Sequence, residues 1–140
     1  MAYIDTSVLA AYYCPEPLSR TVQKTLAKLS ELVISPLVEV ELYSALAAKV
    51  RARELEAASA GRILDMFRRH LADGFYDVVP VAAAEYALAR AWIGRFSSPL
   101  RAPDALHLAA AFDNGLTLLT ADKDLARSAD HFGVRCELVD

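Results

Sequence analysis

The chain opens on a short apolar stretch that ends in an acid and two hydroxyl residues, Tyr3-Ile4-Asp5-Thr6-Ser7-Val8-Leu9. An apolar pair of this kind predicts a buried strand that ends at Ile4, with Asp5 directly after it. The following residues, 7–13, predict a short helix. A strand that leads at once into a helix is the basic unit of α/β proteins.

Four more apolar runs have strand character, and helical patterns alternate with them. The five strands are predicted at residues 3–4, 32–34, 76–79, 116–119 and 134–139, and the seven helices at residues 7–13, 17–29, 36–48, 54–71, 82–96, 103–114 and 124–132. The first four strands are continuously apolar, which predicts that helices cover both of their faces. The alternation predicts an α/β fold with a mostly parallel sheet in one domain, residues 1–140.

The composition excludes several other classes of protein. The 140 residues are 55% hydrophobic and 24% charged, which provides a core and argues against a disordered chain. No apolar run reaches about 18 residues and no secretory signal is visible, so we expect no membrane span and a cytoplasmic protein. Cys14 and Cys136 form no paired motif, which excludes a disulfide framework and a zinc ribbon and predicts free thiols.

Four acidic residues are placed by this topology near the carboxyl ends of the strands. Asp5 and Asp122 directly follow the first and fourth strands, and Glu41 lies in the second turn of the helix after the second strand. Asp104 lies in the first turn of the helix that leads into the fourth strand. The carboxyl ends of parallel strands meet at one edge of the sheet, where ligands bind, so we expect these four side chains to lie together.

Each of these acids also has an ordinary structural interpretation. Asp5 and Asp122 suit helix N-caps, Asp104 suits the first turn of a helix, and Glu41 could be a solvated helix residue. Four converging carboxylates, however, repel one another unless their pKa values rise or they share a cation. A donor set of oxygens alone suits Mg²⁺ or Mn²⁺ rather than zinc, and such sites support phosphodiester cleavage.

Four blocks of the chain together resemble the PIN-domain ribonucleases, and most of all the VapC-type toxins of toxin–antitoxin pairs. The blocks are Tyr3-Ile4-Asp5-Thr6-Ser7-Val8-Leu9, Ser35-Pro36-Leu37-Val38-Glu39-Val40-Glu41-Leu42, Pro103-Asp104-Ala105-Leu106-His107-Leu108-Ala109-Ala110-Ala111 and Leu119-Thr120-Ala121-Asp122-Lys123-Asp124-Leu125. The resemblance implies a single-domain α/β/α sandwich with a roughly five-stranded sheet and a Mg²⁺- or Mn²⁺-dependent endoribonuclease. It further implies a tRNA or rRNA substrate, inhibition by a cognate VapB-like antitoxin, and a homodimer.

The same resemblance assigns roles to individual residues. Carried over by position, the catalytic and metal-binding acids are Asp5, Glu41, Asp104 and Asp122. Thr120 matches a hydroxyl residue that supports the site. Glu39 stands two residues from Glu41, about 200° around a helix, so the two cannot face the same cleft.

Six further residues have two interpretations each. Thr6 and Ser7 could orient water on a metal or simply cap the first helix, and Asp124 could assist a second metal or be an exposed acid at a helix start. His107 could move protons or be a hydrogen-bonded, half-buried histidine. Trp92 and Phe96 could belong to the core or form an apolar patch for a second copy or an antitoxin helix.

Two other functions remain open at this point. A non-catalytic PIN-like module that binds RNA or protein predicts a broken acidic set. An aspartyl-phosphate phosphatase would use Asp5 as a nucleophile and needs a second acid two residues later, where this chain has Ser7. The net charge of −3 does not exclude RNA, because residues 49–101 carry nine basic and six acidic side chains and provide a candidate phosphate-contacting surface.

Overall fold

Five parallel strands form one sheet in the computed structural model, which describes residues 1–140. The strands are β1 (Ala2–Ile4), β2 (Leu32–Ile34), β3 (Asp77–Val78), β4 (Thr117–Thr120) and β5 (Cys136–Leu138). The helices are α1 (Thr6–Tyr13), α2 (Ser19–Leu26), α3 (Pro36–Arg51), α4 (Ala57–Ala72), α5 (Ala83–Ile93), α6 (Ala102–Asp113) and α7 (Lys123–His131). The fold is the predicted α/β/α sandwich, with every strand pair parallel.

The strand order is β3-β2-β1-β4-β5, with β1 at the centre. Tyr3 is paired with Val33 on one side and with Leu118 on the other. The chain therefore builds the sheet outward from β1 to β3, and then crosses back to place β4 on the opposite side of β1. The carboxyl ends of β1 and β4 flank the point where the strand order reverses, which is where open α/β sheets bind ligands.

The core lies on both faces of the central strands. Tyr3 and Ile4 are completely buried, and all of β1 and β2 is buried as their apolar sequence predicts. Helix α6 is buried along almost its whole length, from Ala105 to Ala111, between α5 and the sheet. Its run of alanines allows this, because small side chains let neighbouring elements approach closely.

The prediction for β3 is wrong in burial and length. The strand covers only Asp77 and Val78, and both are exposed. The physical reason is its place at the edge of the sheet, where it pairs with β2 alone. Only Tyr76, just before it, is buried as predicted.

Several element ends also differ from the prediction. The helix predicted at 82–96 ends at Ile93, because the backbone then tightens: the N–H groups of Arg95 and Phe96 bond the carbonyls of Trp92 and Ile93, three residues back instead of four. Phe96 then takes a left-handed backbone conformation with φ of 53°. Helix α3 continues to Arg51, three residues beyond its predicted end. Cys14 is buried, Cys136 is partly buried, and both are free thiols as predicted. None of the helices combines the length and apolar character needed to cross a membrane.

Candidate active site

The four predicted acids reach one edge of the sheet from four elements. Asp5 is the N-cap of α1 directly after β1, and Asp122 is the N-cap of α7, two residues after the end of β4. Glu41 lies in the second turn of α3, and Asp104 lies in the first turn of α6. Burial raises the pKa of Asp104, and negative charge on Asp122, Glu41 and Asp5 raises it further against the opposing charge of His107, so the other three carboxylates lie within electrostatic range of it.

Asp5 is held in one orientation by donors around both carboxylate oxygens. Its Oδ1 accepts hydrogen bonds from Ser7 Oγ at 2.6 Å and from the backbone N–H of Val8 at 3.2 Å. Its Oδ2 accepts a hydrogen bond from Thr120 Oγ1. Burial raises the pKa of Asp5, which is 3% exposed, although the three hydrogen bonds act against that rise. The predicted supporting role of Thr120 therefore corresponds to a direct contact with an acid of the site.

Glu41 is the end of a buried chain of hydrogen bonds. Its Oε1 accepts from Thr6 Oγ1 at 2.7 Å and from His107 Nε2. His107 Nδ1 bonds the Tyr3 hydroxyl at 2.8 Å, and that hydroxyl bonds Ser35 Oγ at 2.7 Å. Burial raises the pKa of Glu41, but the hydrogen bonds and charge of His107 together with Thr6 outweigh it and leave the pKa below its ordinary value.

Asp104 and Asp122 face a polar cleft of about 350 Å³. Its wall is formed by Pro99, Leu100, Arg101, Asp104, Asp122, Asp124, Leu125 and Ser128. Burial and then the charge of Asp122 raise the pKa of Asp104, and no hydrogen-bond donor reaches its carboxylate to oppose that rise. Asp122 Oδ1 accepts from the backbone N–H groups of Asp124 and Leu125, at 2.8 and 3.2 Å, which leaves Oδ2 uncommitted.

Of the residues with two interpretations, some contact the acidic set and others have an ordinary structural role. Thr6 bonds Glu41, and Ser7 bonds Asp5 while accepting from the backbone N–H of Ala121 at 3.0 Å, so both contact the acidic set. Asp124 reaches the cleft wall, but it is exposed and pairs with Arg127 on its own helix. Its structure matches the exposed acid at a helix start.

The structure also shows whether His107, Trp92 and Phe96 are buried or exposed. His107 is 2% exposed, so it is hydrogen-bonded as predicted but fully rather than half buried. Trp92 is in the core and stacks on Phe132 with ring centroids 5.2 Å apart. Phe96 is 91% exposed and so is not a core residue.

Three polar residues at the site were missed by sequence reasoning. Tyr3 and Ser35 anchor the hydrogen-bond chain behind Glu41, and Arg101 lies on the wall of the cleft. Tyr3 carried a usable signal, because it stands two residues before Asp5 in an extended segment and so points to the same face of the sheet. The other two carried no signal, since their contacts depend on how separate elements pack.

The donor chemistry fits a hard divalent cation. The four carboxylates supply only oxygen, and Asp104 has neighbouring negative charge but no donor to balance it. No three His, Cys, Asp or Glu side chains of the chain stand close enough to enclose an ion by themselves. An ion held here would therefore keep several water ligands, as Mg²⁺ does in proteins.

The comparison with protein families identifies this architecture. The PIN domain model matches residues 2–130. The chain belongs to the PIN domain family. No curated protein matches this PIN domain in sequence.

Solved structures share the fold over nearly the full length. VapC20 of Mycobacterium tuberculosis, a toxin that cleaves the sarcin–ricin loop, has a TM-score of 0.73 at 19% identity over 91% of this PIN domain and 95% of its own chain. FitAcB of Neisseria gonorrhoeae has a TM-score of 0.70 at 22% identity, and the match covers 97% of this PIN domain and 96% of the FitAcB chain. VapBC2 of Rickettsia felis, bound to a DNA fragment from its promoter, has a TM-score of 0.70 at 19% identity, and the match covers the whole of both chains. At these identities the likeness establishes the fold.

Proposed function

We propose that this PIN domain is a Mg²⁺- or Mn²⁺-dependent endoribonuclease that hydrolyses RNA phosphodiester bonds. The observation that carries the proposal is the half-buried Asp104, which faces a polar cleft with Asp122 and is surrounded by acids without a balancing donor. Such a set suits a cation that in turn binds a phosphate. Asp104, Asp122, Asp5 and Glu41 would hold the ion, directly or through water.

The bound ion would acidify the attacking water and neutralise charge on the phosphate, which is what divalent metals supply in phosphodiester hydrolysis. The protein's own groups prepare the site for that chemistry. Thr120 and Ser7 fix Asp5 through both carboxylate oxygens, so its orientation is set before substrate arrives. This preorganisation favours hydrolysis because no dipole has to reorient during the reaction.

Two carboxylate oxygens are free to accept the proton of the attacking water. Glu41 Oε1 already accepts from both Thr6 and His107, which leaves Oε2, and the helix cap of Asp122 leaves its Oδ2. The water oxygen bonds to phosphorus as the bond to O3′ breaks. The products would carry 5′-phosphate and 3′-hydroxyl ends.

The buried Asp5 argues against the phosphatase alternative. A nucleophilic aspartate must itself reach the phosphorus of the substrate, whereas Asp5 is 3% exposed and could act only on an ion or a water small enough to reach its remaining lone pairs. Ser7, at the position of the second acid of such enzymes, donates to Asp5 instead.

Cleavage of a structured RNA tests the nuclease proposal. We expect the wild-type protein to cut RNA in Mg²⁺ or Mn²⁺ and to stop when the ion is chelated. Asp5→Asn should lower the rate by about a hundredfold or more, because one negative charge of the site is lost. Glu39→Gln is the matched control, since this acid on the same helix as Glu41 makes no contact with the site. Equal rates for Asp5→Asn and wild type would contradict the proposal.

We also propose that the protein acts in the cytoplasm as the toxin of a VapBC-like pair, with a tRNA or rRNA target, a VapB-like antitoxin and a homodimeric state. The similar folds support this proposal, since they include the toxin VapC20 and a toxin–antitoxin complex from Klebsiella pneumoniae. A groove of about 770 Å³ between α3 and α4 offers a docking place for an antitoxin segment. Eight of its eleven lining residues are hydrophobic, and Val40 at its edge is 68% exposed.

Growth after induction tests the toxin proposal. Expression of the wild type should arrest growth, and co-expression of a cognate VapB-like antitoxin should restore growth. Val40→Asp should keep the toxicity but lose the rescue, because it places a charge in the apolar groove. Rescue of Val40→Asp as complete as that of wild type would remove the groove as the antitoxin site.

A further inference from the structure

The segment that joins α5 to α6, residues 94–101, lies alongside α7. At the C-terminal end of α7, Ser97 Oγ and His131 Nε2 are hydrogen-bonded at 2.9 Å, and the Arg95 guanidinium lies 5.8 Å from the Phe132 ring centroid. At the N-terminal end of α7, Arg101 lines the acidic cleft. The segment therefore extends along a nine-residue helix, about 13 Å, from the cleft outward.

Neither the exposure nor the backbone conformation of Phe96 in this segment contributes to the stability of the fold. Its side chain is 91% exposed, more than any other large hydrophobic residue of the chain. Its φ of 53° lies in the left-handed region, where a bulky side chain is unfavourable and glycine or asparagine fits better. The contacts of Ser97 and Arg95 hold the backbone on either side, so the ring is presented to solvent on a tethered segment.

Arg101 is the one basic residue on the cleft wall, where it is exposed beside three aspartates. It takes part in none of the five ion pairs of the chain. A guanidinium with its donors uncommitted at the mouth of a cleft suits a phosphate group, which it can contact through two N–H groups.

We propose that Phe96 and Arg101 form a binding subsite for single-stranded RNA beside the cleft, in which Arg101 contacts a backbone phosphate and Phe96 stacks on the base of a nearby nucleotide. Exposed aromatic rings beside cations are the usual means of binding unpaired bases. Phe96 is three residues from Pro99 on the cleft wall, so it lies within about 11 Å of it along the chain, which corresponds to roughly three nucleotides at stacked spacing. The subsite rests on the proposed ribonuclease function and adds how the substrate is selected, by the presence of an unpaired base.

The residues on either side of Phe96 favour RNA over a protein as the partner that binds there. In the chain Phe96 stands between Arg95 and Ser97, and both of these polar residues are exposed. A protein interface needs a continuous apolar surface in its core. A single ring between a cation and a hydroxyl residue instead matches a nucleotide, which presents a flat face and a charge.

Binding of a labelled single-stranded RNA decamer, followed by fluorescence anisotropy in the presence of chelator, tests the subsite without cleavage. Phe96→Ala should weaken binding of the single strand about tenfold, and Phe96→Trp should keep it. The same RNA as a duplex should be insensitive to Phe96→Ala, because its bases are not available for stacking. Arg101→Ala should weaken binding and reduce the salt dependence by about 0.7 in log–log slope, the value for one phosphate contact on a single strand.

Two control variants match these changes elsewhere on the surface. Tyr86→Ala removes an aromatic side chain on α5 that is 50% exposed, and Arg20→Ala removes an exposed arginine on α2, outside the basic stretch 49–101. Both should bind the decamer as wild type does. Binding by Phe96→Ala within twofold of wild type would overturn the subsite alone, as would a loss confined to self-association or antitoxin binding. A wild-type protein that binds no RNA would overturn both the subsite and the proposed function.

Discussion

Asp104 is a half-buried carboxylate whose charged neighbours include Asp122, Glu41 and Asp5. Burial and these charges raise its pKa above the value in the unfolded chain, so the ionised form lowers stability at neutral pH. The stabilisation from a neutral Asp104 is complete below the unfolded pKa, about 4, and is lost as the pH rises through the higher folded pKa. The residue thus reduces stability at the pH where a cation site would work.

We therefore expect Asp104→Asn to be more stable than wild type at neutral pH when metal is absent. The melting temperature should rise by about 2–4 °C, since the neutral amide does not repel the other acids. The gain should disappear near pH 4, where the wild-type carboxyl is itself becoming protonated. Calorimetric melting of both proteins in chelator at the two pH values measures this. A lower melting temperature for Asp104→Asn at neutral pH would contradict the electrostatic account.

His107 connects the core to Glu41, so its removal should affect turnover more than substrate binding. We expect His107→Ala to lower kcat by about 10–100-fold with a much smaller change in KM, as for groups that orient a metal-site carboxylate. His107→Gln should recover part of the loss, because its amide N–H can still donate to Glu41. A steady-state comparison of the three proteins on one RNA measures this. If His107→Ala lowered kcat/KM only by raising KM, His107 would act in substrate binding and not in orienting Glu41.

At the scale of elements, two segment ends store backbone strain. Arg53, just after α3, and Phe96, just after α5, both have positive φ, at 59° and 53°. We expect Arg53→Gly and Phe96→Gly each to leave the free energy of unfolding unchanged or to raise it by up to about 1 kcal/mol, because relief of the left-handed conformation offsets the extra entropy of the unfolded chain. Urea denaturation measures both. A clear loss of stability for Phe96→Gly would mean that its ring has a packing role.

The elements also show which parts of the fold and of the site could be predicted from the sequence. The continuous apolar runs predicted β1, β2 and β4, because their helices bury both faces. The same pattern failed at β3, since a sequence does not show which strand lies at the edge of a sheet. The acids were found because strand ends in a parallel sheet share one edge. The hydrogen-bond chain from Glu41 through His107 and Tyr3 to Ser35 could not be found, because it depends on side-chain contacts between three separate elements, β1, α3 and α6.

At the scale of the whole molecule, the sheet collects negative charge at one edge while residues 49–101 carry a basic excess. The acidic edge should bind a divalent ion in the folded state only. We expect Mn²⁺ at 100 times its dissociation constant to stabilise the wild type by about 2.7 kcal/mol. Asp122→Asn should show little of this effect and Glu39→Gln all of it, as followed by thermal melting. An equal shift for Asp122→Asn and wild type would place the ion elsewhere.

RNA ends mapped across the cell after a short pulse of expression test the central proposal most directly. We predict new 5′-phosphate ends at a small set of positions in tRNA or rRNA for the wild type, and none for Asp5→Asn expressed to the same level. The 3′ fragments begin with phosphate because the water attacks phosphorus and O3′ leaves. The same ends in Asp5→Asn, or 5′-hydroxyl ends in wild type, would contradict a metal-dependent ribonuclease built on these four acids.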